Sequence, residues 1–199
     1  MEHSRAQIIA TLGPASRDKK IMELMARHQM DVVRLNFSWG TYEEHASYIK
    51  TVRQISKKLK KRIPIIQDLS GPRLQQEKGH RFDVSTKEIL TKKDLEDLEF
   101  GLKHSVDYIA MSYVGGPEDI NELKRIIKES GKQTRVIAKI ERNKALGELD
   151  KIIDVSDAIM IARGDLGNEV PFEKIPLIEE KIIKKCKKAG KPVITATQM

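Results

Sequence analysis

The chain has 199 residues, 39% of them apolar and 33% charged, with a formal net charge of +8. That length supports one sizeable core, and no apolar run nears the ~18 residues of a membrane-crossing helix. A start without an apolar leader and a single cysteine, Cys186, exclude an intrachain disulfide and predict a reducing, cytoplasmic setting.

Much of the basic excess lies in two runs, Lys57 to Arg62 and Lys181 to Lys188. Both read as exposed helix faces or helix C-termini, where cations suit the dipole. Aromatic residues make up only 5% and no nucleic-acid-binding signature is present, so no nucleic-acid partner is expected. The charge suits a small anionic substrate instead.

Taken in order, Gln7 to Leu12 reads as a strand and Asp18 to His28 as a helix with Ile21, Leu24 and Met25 on one face. Asp31 to Phe37 is a strand. Thr41 followed three residues on by Glu44 forms a capping box, opening a helix whose apolar positions run through Ile49, Val52, Ile55 and Leu59. Ile63 to Leu69 is a strand. Residues 70 to 90 show no clear period and read as a long loop or small hairpin, the kind of insertion that is usually functional. Thr91 opens a further helix. Tyr108 to Val114 is a strand, and Pro117 stands at a favoured first helical position. Val136 to Ile140 is a strand, Ala145 to Ile153 a helix, Ala158 to Ala162 a strand. A long helix follows from about Glu173 to Ala189, stopped by Gly190, and Val193 to Ala196 is the last strand.

Strands alternating with helices predict an α/β fold with a parallel sheet and helices outside. Seven strands are readable. The polar residues fall at the C-terminal ends of most of them: Arg34, Asn36 and Ser38; Asp68; Lys139 and Glu141; Arg163 and Asp165; Thr197. A doubly wound sheet gathers its site at one switch point, whereas sites spread over many strand ends fit a TIM (β/α)8-type barrel, here incomplete. Residues 1–199 are therefore read as a single barrel domain.

Glu141 and Asp165 are hard oxygen ligands on neighbouring strand ends, and a two-carboxylate site with open positions suits Mg2+ or Mn2+. The alternative is a pair of carboxylates salt-bridged to Lys139 and Arg163. Gly164 and Gly167 flank Asp165, and backbone N–H groups there can hold a phosphate or carboxylate. Arg34, Asn36 and Ser38 alternate and so share a face. Arg34 at a barrel rim is a natural anion clamp, or else an ion-pair partner of Asp68. Lys139 shares a face with Glu141, where its ammonium can act as an acid or stabilise developing negative charge. Thr197 can hydrogen-bond a ligand or relay a proton.

In order along the chain, Ile8 to Ser16, Val33-Arg34-Leu35-Asn36-Phe37-Ser38-Trp39-Gly40, Asp68-Leu69-Ser70-Gly71-Pro72, Ala138-Lys139-Ile140-Glu141, Met160 to Gly167 and Gly190 to Met199 resemble the motifs of the pyruvate kinase family. The resemblance implies transfer of a phosphoryl group from phosphoenolpyruvate to ADP in glycolysis, with Mg2+. It implies that Glu141 and Asp165 hold the metal and that Arg34 and Lys139 contact the phosphoryl group. Lys139 also faces the enolate. Gly164 and Thr197 would hold the pyruvate carboxylate, with Thr197 near the proton path to the methyl carbon. Asn36, Ser38 and Asp68 match a monovalent-cation position.

The chain departs from that pattern in ways that carry expectations. Residues 73–90 stand where the family inserts a lid domain, which implies weak ADP/ATP binding and poor shielding of an enolate. Trp39 replaces a histidine and Gln75 an arginine that contacts phosphates. Leu69 and Arg73 replace a threonine and a glutamate, so a fixed guanidinium is expected to stand in for K+. Two other readings stay open: metal-dependent enolpyruvate chemistry without nucleotide, as a lyase or decarboxylase, and a non-catalytic paralogue acting by association. Seven strands also leave two open edges, which predicts a homo-oligomer.

Overall fold

The structure is a computed structural model that describes residues 6–75, 80–86 and 88–196. Its centre is a seven-stranded sheet built from β1 (Ile8–Thr11), β2 (Met30–Asn36), β3 (Ile65–Asp68), β6 (Tyr108–Met111), β7 (Arg135–Ile140), β8 (Ala158–Ala162) and β9 (Val193–Ala196), neighbours in that order. Every pair is parallel. The two remaining strands, β4 (Arg73–Gln75) and β5 (His80–Phe82), form a separate antiparallel hairpin. The stretch read as a long loop or small hairpin thus contains a hairpin.

The crossovers are helical. They comprise α1 (Lys19–Arg27), α2 (Tyr42–Leu59), α3 (Lys92–Lys103), α4 (Pro117–Glu129), the pair α5 (Asn143–Gly147) and α6 (Leu149–Val155), and α8 (Ile175–Lys188); a single turn, α7 (Arg163–Leu166), follows β8. Local sequence sets their starts. Asp18 caps α1 through Lys20 and Ile21 N–H, and the Thr41–Glu44 and Thr91–Asp94 capping boxes open α2 and α3. The helix expected over Ala145 to Ile153 is two short helices meeting at Glu148, and a 3-10 turn at Phe172–Lys174 precedes α8. Lys57 and Lys58 occupy the last turn of α2, and Lys185, Lys187 and Lys188 that of α8, as the charge runs predicted. Cys186 is fully buried, and burial pushes its thiol up to about 11, so it is a packing residue.

Alternation along the strands sorts residues between two cores. Val33, Leu35, Ile65, Val136, Ala138, Ile140, Ile159 and Ile161 belong to the main core with the helices. Val32, Ile66, Ala110, Ile137, Ala158 and Met160 form a smaller cluster on the other face. Arg34, Asp68 and Lys139 stand two residues beyond Val32, Ile66 and Ile137, and so continue that inner face toward the C-terminal rim. The opposite ends of three strands are pinned by carboxylates. Asp31, Asp107 and Asp157 accept from the N–H of Ile8, Ile65 and Val136 at 2.9, 2.9 and 2.8 Å. Lys61, Arg53 and Lys124 pair with the same three carboxylates.

Candidate active site at the strand C-termini

Four side chains at the strand ends meet in a continuous chain of charge. Arg34 Nε donates to Asp68 Oδ2 at 2.6 Å, the Lys139 ammonium lies 3.0 Å from Asp68 Oδ1, and it reaches Glu141 Oε1 at 2.9 Å. The Asp68 Oδ1 contact is an ion pair without hydrogen-bond geometry. Lys139 also donates to Ser112 Oγ at 2.7 Å, and Ser112 in turn to the Leu69 carbonyl at 2.7 Å. Arg34 Nη1 donates to Thr11 Oγ1 at 3.0 Å. Asp68 and Glu141 are each 1% exposed and Lys139 8%.

Burial on this scale is costly for charges unless they are paired, and the pairing sets their protonation. For Asp68, burial alone would push the carboxyl up, but Lys139 and Arg34 together outweigh it and hold it below the ordinary aspartate range. For Lys139, burial opposes the charge, yet Asp68 and Glu141 hold its pKa above the ordinary lysine range. It therefore stays an ammonium. Glu141 is pushed up, first by burial and further by the neighbouring Asp165, against the pull of Lys139.

Arg34 is thus both of the things its position allowed: it is paired with Asp68 and it is a partly exposed cation at the rim, its side chain 20% accessible. The two cations and the two carboxylates of this chain balance, and Asp165 adds a further carboxylate. Its Oδ1 lies 3.2 Å from His80 Nε2, brought over the rim by β5. Arg163, the other suggested carboxylate partner, turns instead to Glu179 at 3.6 Å, which also accepts from Thr195 Oγ1 at 3.0 Å. Gly164 lies in α7, directly after β8. Thr197 lies outside the described residues, as does the side chain of Gln75.

Glu141 and Asp165, at the ends of neighbouring strands, are of the hard oxygen type that a divalent cation takes. Asp165 raises the cost of ionising Glu141 on the adjacent strand end, which a bound cation relieves. Among the described residues no cluster of three or more His, Cys, Asp or Glu forms a cage. A site with only two protein carboxylates suits Mg2+, which keeps water and takes substrate oxygens.

At the proposed monovalent position, Asn36 Oδ1 accepts from Ser38 N–H at 3.1 Å. Arg73 Nη2 donates to the Ser38 carbonyl at 3.3 Å, with its guanidinium 5.9 Å from the Trp39 ring centroid. A cation of the protein's own therefore stands beside Ser38.

Sequence reasoning missed Ser112, Tyr113 and His80. The strand expected to run from Tyr108 to Val114 ends at Met111, so Ser112 and Tyr113 are rim residues and not strand interior. Tyr113 has φ +56° and is 3% exposed. Its N–H donates to Glu141 Oε2 at 2.5 Å and its carbonyl accepts from Arg142 Nη1 at 3.4 Å. Burial, then Asp165 and Glu141, push its phenol well above the ordinary tyrosine range. Phe82 packs on Tyr113 with centroids 5.3 Å apart, and the Arg142 guanidinium sits 3.8 Å from the Phe82 centroid. The hairpin thereby touches the ends of β6, β7 and β8.

A family described as pyruvate kinase, barrel domain, matches residues 3–88 and 79–199. The chain belongs to the pyruvate kinase barrel-domain family. Pyruvate kinases of Staphylococcus aureus and Staphylococcus epidermidis are each 30% identical to it over 277 residues, covering 98% of this chain and 47% of theirs. The chain thus spans about half the length of the curated relatives it matches. The family match divides at the hairpin, and the 277-residue match exceeds the 199 residues of the whole chain, so the relatives carry additional residues inside the matched stretch. Among the described residues no helix is long and apolar enough to cross a membrane.

Proposed function

We propose that the chain is a pyruvate kinase-like phosphotransferase that binds phosphoenolpyruvate beside Mg2+ and converts it with ADP to pyruvate and ATP, in the cytoplasm. The observation that carries this reading is the buried chain Arg34–Asp68–Lys139–Glu141, with Asp165 on the next strand end. Phosphoryl transfer asks a protein for positioning and charge neutralisation more than for covalent chemistry, and a preorganised row of charges at a half-closed rim supplies both.

In this mechanism Glu141 and Asp165 would hold the metal, and the phosphoryl group sits over the exposed end of Arg34. When bound, the metal neutralises charge on the substrate oxygens. Lys139 stays protonated, so it serves as a fixed cation facing the phosphoryl group and the enolate oxygen left when the bond from phosphorus to that oxygen breaks. Asp68 is a positioning residue that aims both cations. The N–H of Gly164 and the hydroxyl of Thr197 would hold the carboxylate of pyruvate, and Thr197 would serve protonation of the methyl carbon.

A second reading is favoured by the hairpin. A strap that contacts Asp165, Tyr113 and Arg142 directly takes the place proposed for a nucleotide lid, and supports enolpyruvate chemistry in which ADP binds weakly or not at all.

Release of pyruvate from phosphoenolpyruvate, measured with and without ADP and Mg2+, separates the readings. The kinase reading expects release that needs both and falls by about two orders of magnitude or more in Lys139→Met. Metal-dependent turnover that ignores ADP supports the second reading. Turnover unchanged in Lys139→Met overturns the assignment of the chemistry.

A further inference from the structure

Tyr113 is a buried side chain with a polar atom that the barrel does not use. Its hydroxyl has no hydrogen-bond partner among the described residues, and the residue is buried. A buried hydroxyl without a partner destabilises the folded state, and such groups call for a specific explanation. The backbone here is also strained: a non-glycine residue at φ +56° carries a conformational cost. Three contacts over-determine it. The Glu141 carboxylate takes its N–H, the Phe82 ring covers its face, and Gly71 leaves room for it, since a Cβ there would come within 2.8 Å of Tyr113 Cδ2. A phenylalanine would satisfy every one of these contacts. Only the hydroxyl is unexplained, on a residue whose N–H is held by Glu141 and whose ring is covered by the hairpin that also reaches Asp165.

We propose that the Tyr113 hydroxyl is a further substrate-contacting residue, a hydrogen-bond donor to an oxygen of the three-carbon ligand held at Glu141 and Asp165. The proposal rests on the enolpyruvate-binding reading above and adds a residue to it. Strain and an unpaired donor at one position are what a preorganised ligand contact costs in the free protein. Bound ligand supplies the missing acceptor, and its negative charge makes that hydrogen bond stronger than a neutral one.

The test compares the wild-type chain with Tyr113→Phe. Three quantities are measured: the thermal midpoint of the free protein, the affinity for Mn2+ alone, and the affinity for oxalate, an enolate mimic, at saturating Mg2+. The proposal expects the midpoint of the free variant to rise by about 2–4 °C, because an unpaired buried hydroxyl is removed. Mn2+ affinity should stay within about twofold, and oxalate should bind at least about tenfold more weakly. Equal oxalate affinity in both proteins overturns the role of Tyr113 and leaves the enolpyruvate reading intact. Weakened Mn2+ binding would mean that Tyr113 acts through Glu141 and overturns the direct contact. A variant that is less stable, or fails to fold, contradicts an unpaired hydroxyl and overturns it too. No oxalate binding by the wild-type protein overturns the enolpyruvate reading, and this inference with it.

Discussion

At the residue scale, the site is governed by Asp68, which is buried between two cations and has no access to water. Removing its charge leaves Arg34 and Lys139 without their common partner. Breaking a buried pair in this way typically costs about 3–5 kcal/mol, and Asp68→Asn should lose that much at neutral pH. The pH dependence has a definite sign. The folded-state pKa of Asp68 is depressed, so its stabilisation is full above the unfolded value of about 3.9 and is lost as pH falls toward the lower folded value. Urea unfolding followed from pH 7 to pH 3 should therefore show the wild-type advantage over Asp68→Asn steady to about pH 5 and then shrinking. A gap that stays constant to pH 3 would show that the carboxylate charge is not what the variant removes. Arg73 carries a second prediction at this scale. Its guanidinium beside the Ser38 carbonyl stands at the position proposed for a monovalent cation, so turnover should be the same in potassium and in tetramethylammonium salts. A strong potassium requirement would contradict it. Asp68 was legible in the sequence from its place at a strand end, and Arg73 from its departure from the family's pattern, neither needing knowledge of side-chain contacts. Tyr113 was not, since its placement depends on where β6 stops, and an apolar run such as Tyr108 to Val114 does not mark its own end.

At the element scale, many helices and strands were readable because they carry a local signal: capping boxes at Thr41 and Thr91, and continuous apolar runs in β6 and β8. The hairpin gave no such signal. Its strands are three residues each and partly polar, and isolated hairpins of that length are marginal. Its position therefore depends on contacts with the barrel, chiefly Phe82 between Tyr113 and Arg142, and His80 on Asp165. An aromatic pair contributes about 0.5–1.5 kcal/mol and a cation over a ring about 0.5–2 kcal/mol. Phe82→Ala removes both. Amide exchange in Arg73 to Gln75 and His80 to Phe82 should then accelerate by about tenfold or more, while exchange in β7 and β8, held in the sheet and the main core, stays unchanged. Faster exchange in β7 as well would mean that the hairpin is an integral part of the barrel core and not a strap laid across it.

At the scale of the whole molecule, the decisive feature is that the described sheet ends on β1 at one side and β9 at the other. Among the described residues β1 has β2 and β9 has β8 as its strand neighbour, so these two strands end the sheet order. Open edges of this kind invite pairing with another chain unless they are short, charged or covered. The edge strands here are short, four residues each, which limits the number of hydrogen bonds an edge contact can form, but they are neither charged nor fully covered. Ile8 at the start of β1 is 50% exposed, and all four residues of β9 are only partly buried. A copy of the same chain that sets its β9 against β1 of the next would extend the parallel sheet and cover these residues. The arrangement closes only if it is reciprocal, and otherwise it grows. We therefore expect a concentration-dependent mass above that of the single chain in sedimentation, carried by the edges. Ile8→Lys, a charge on the exposed edge residue, should shift the protein toward the monomer with little change in thermal midpoint, since the side chain is half in water already. A wild-type protein that sediments as a monomer at every concentration would show that the edges are silent. Association unaffected by Ile8→Lys would place the contact on another surface.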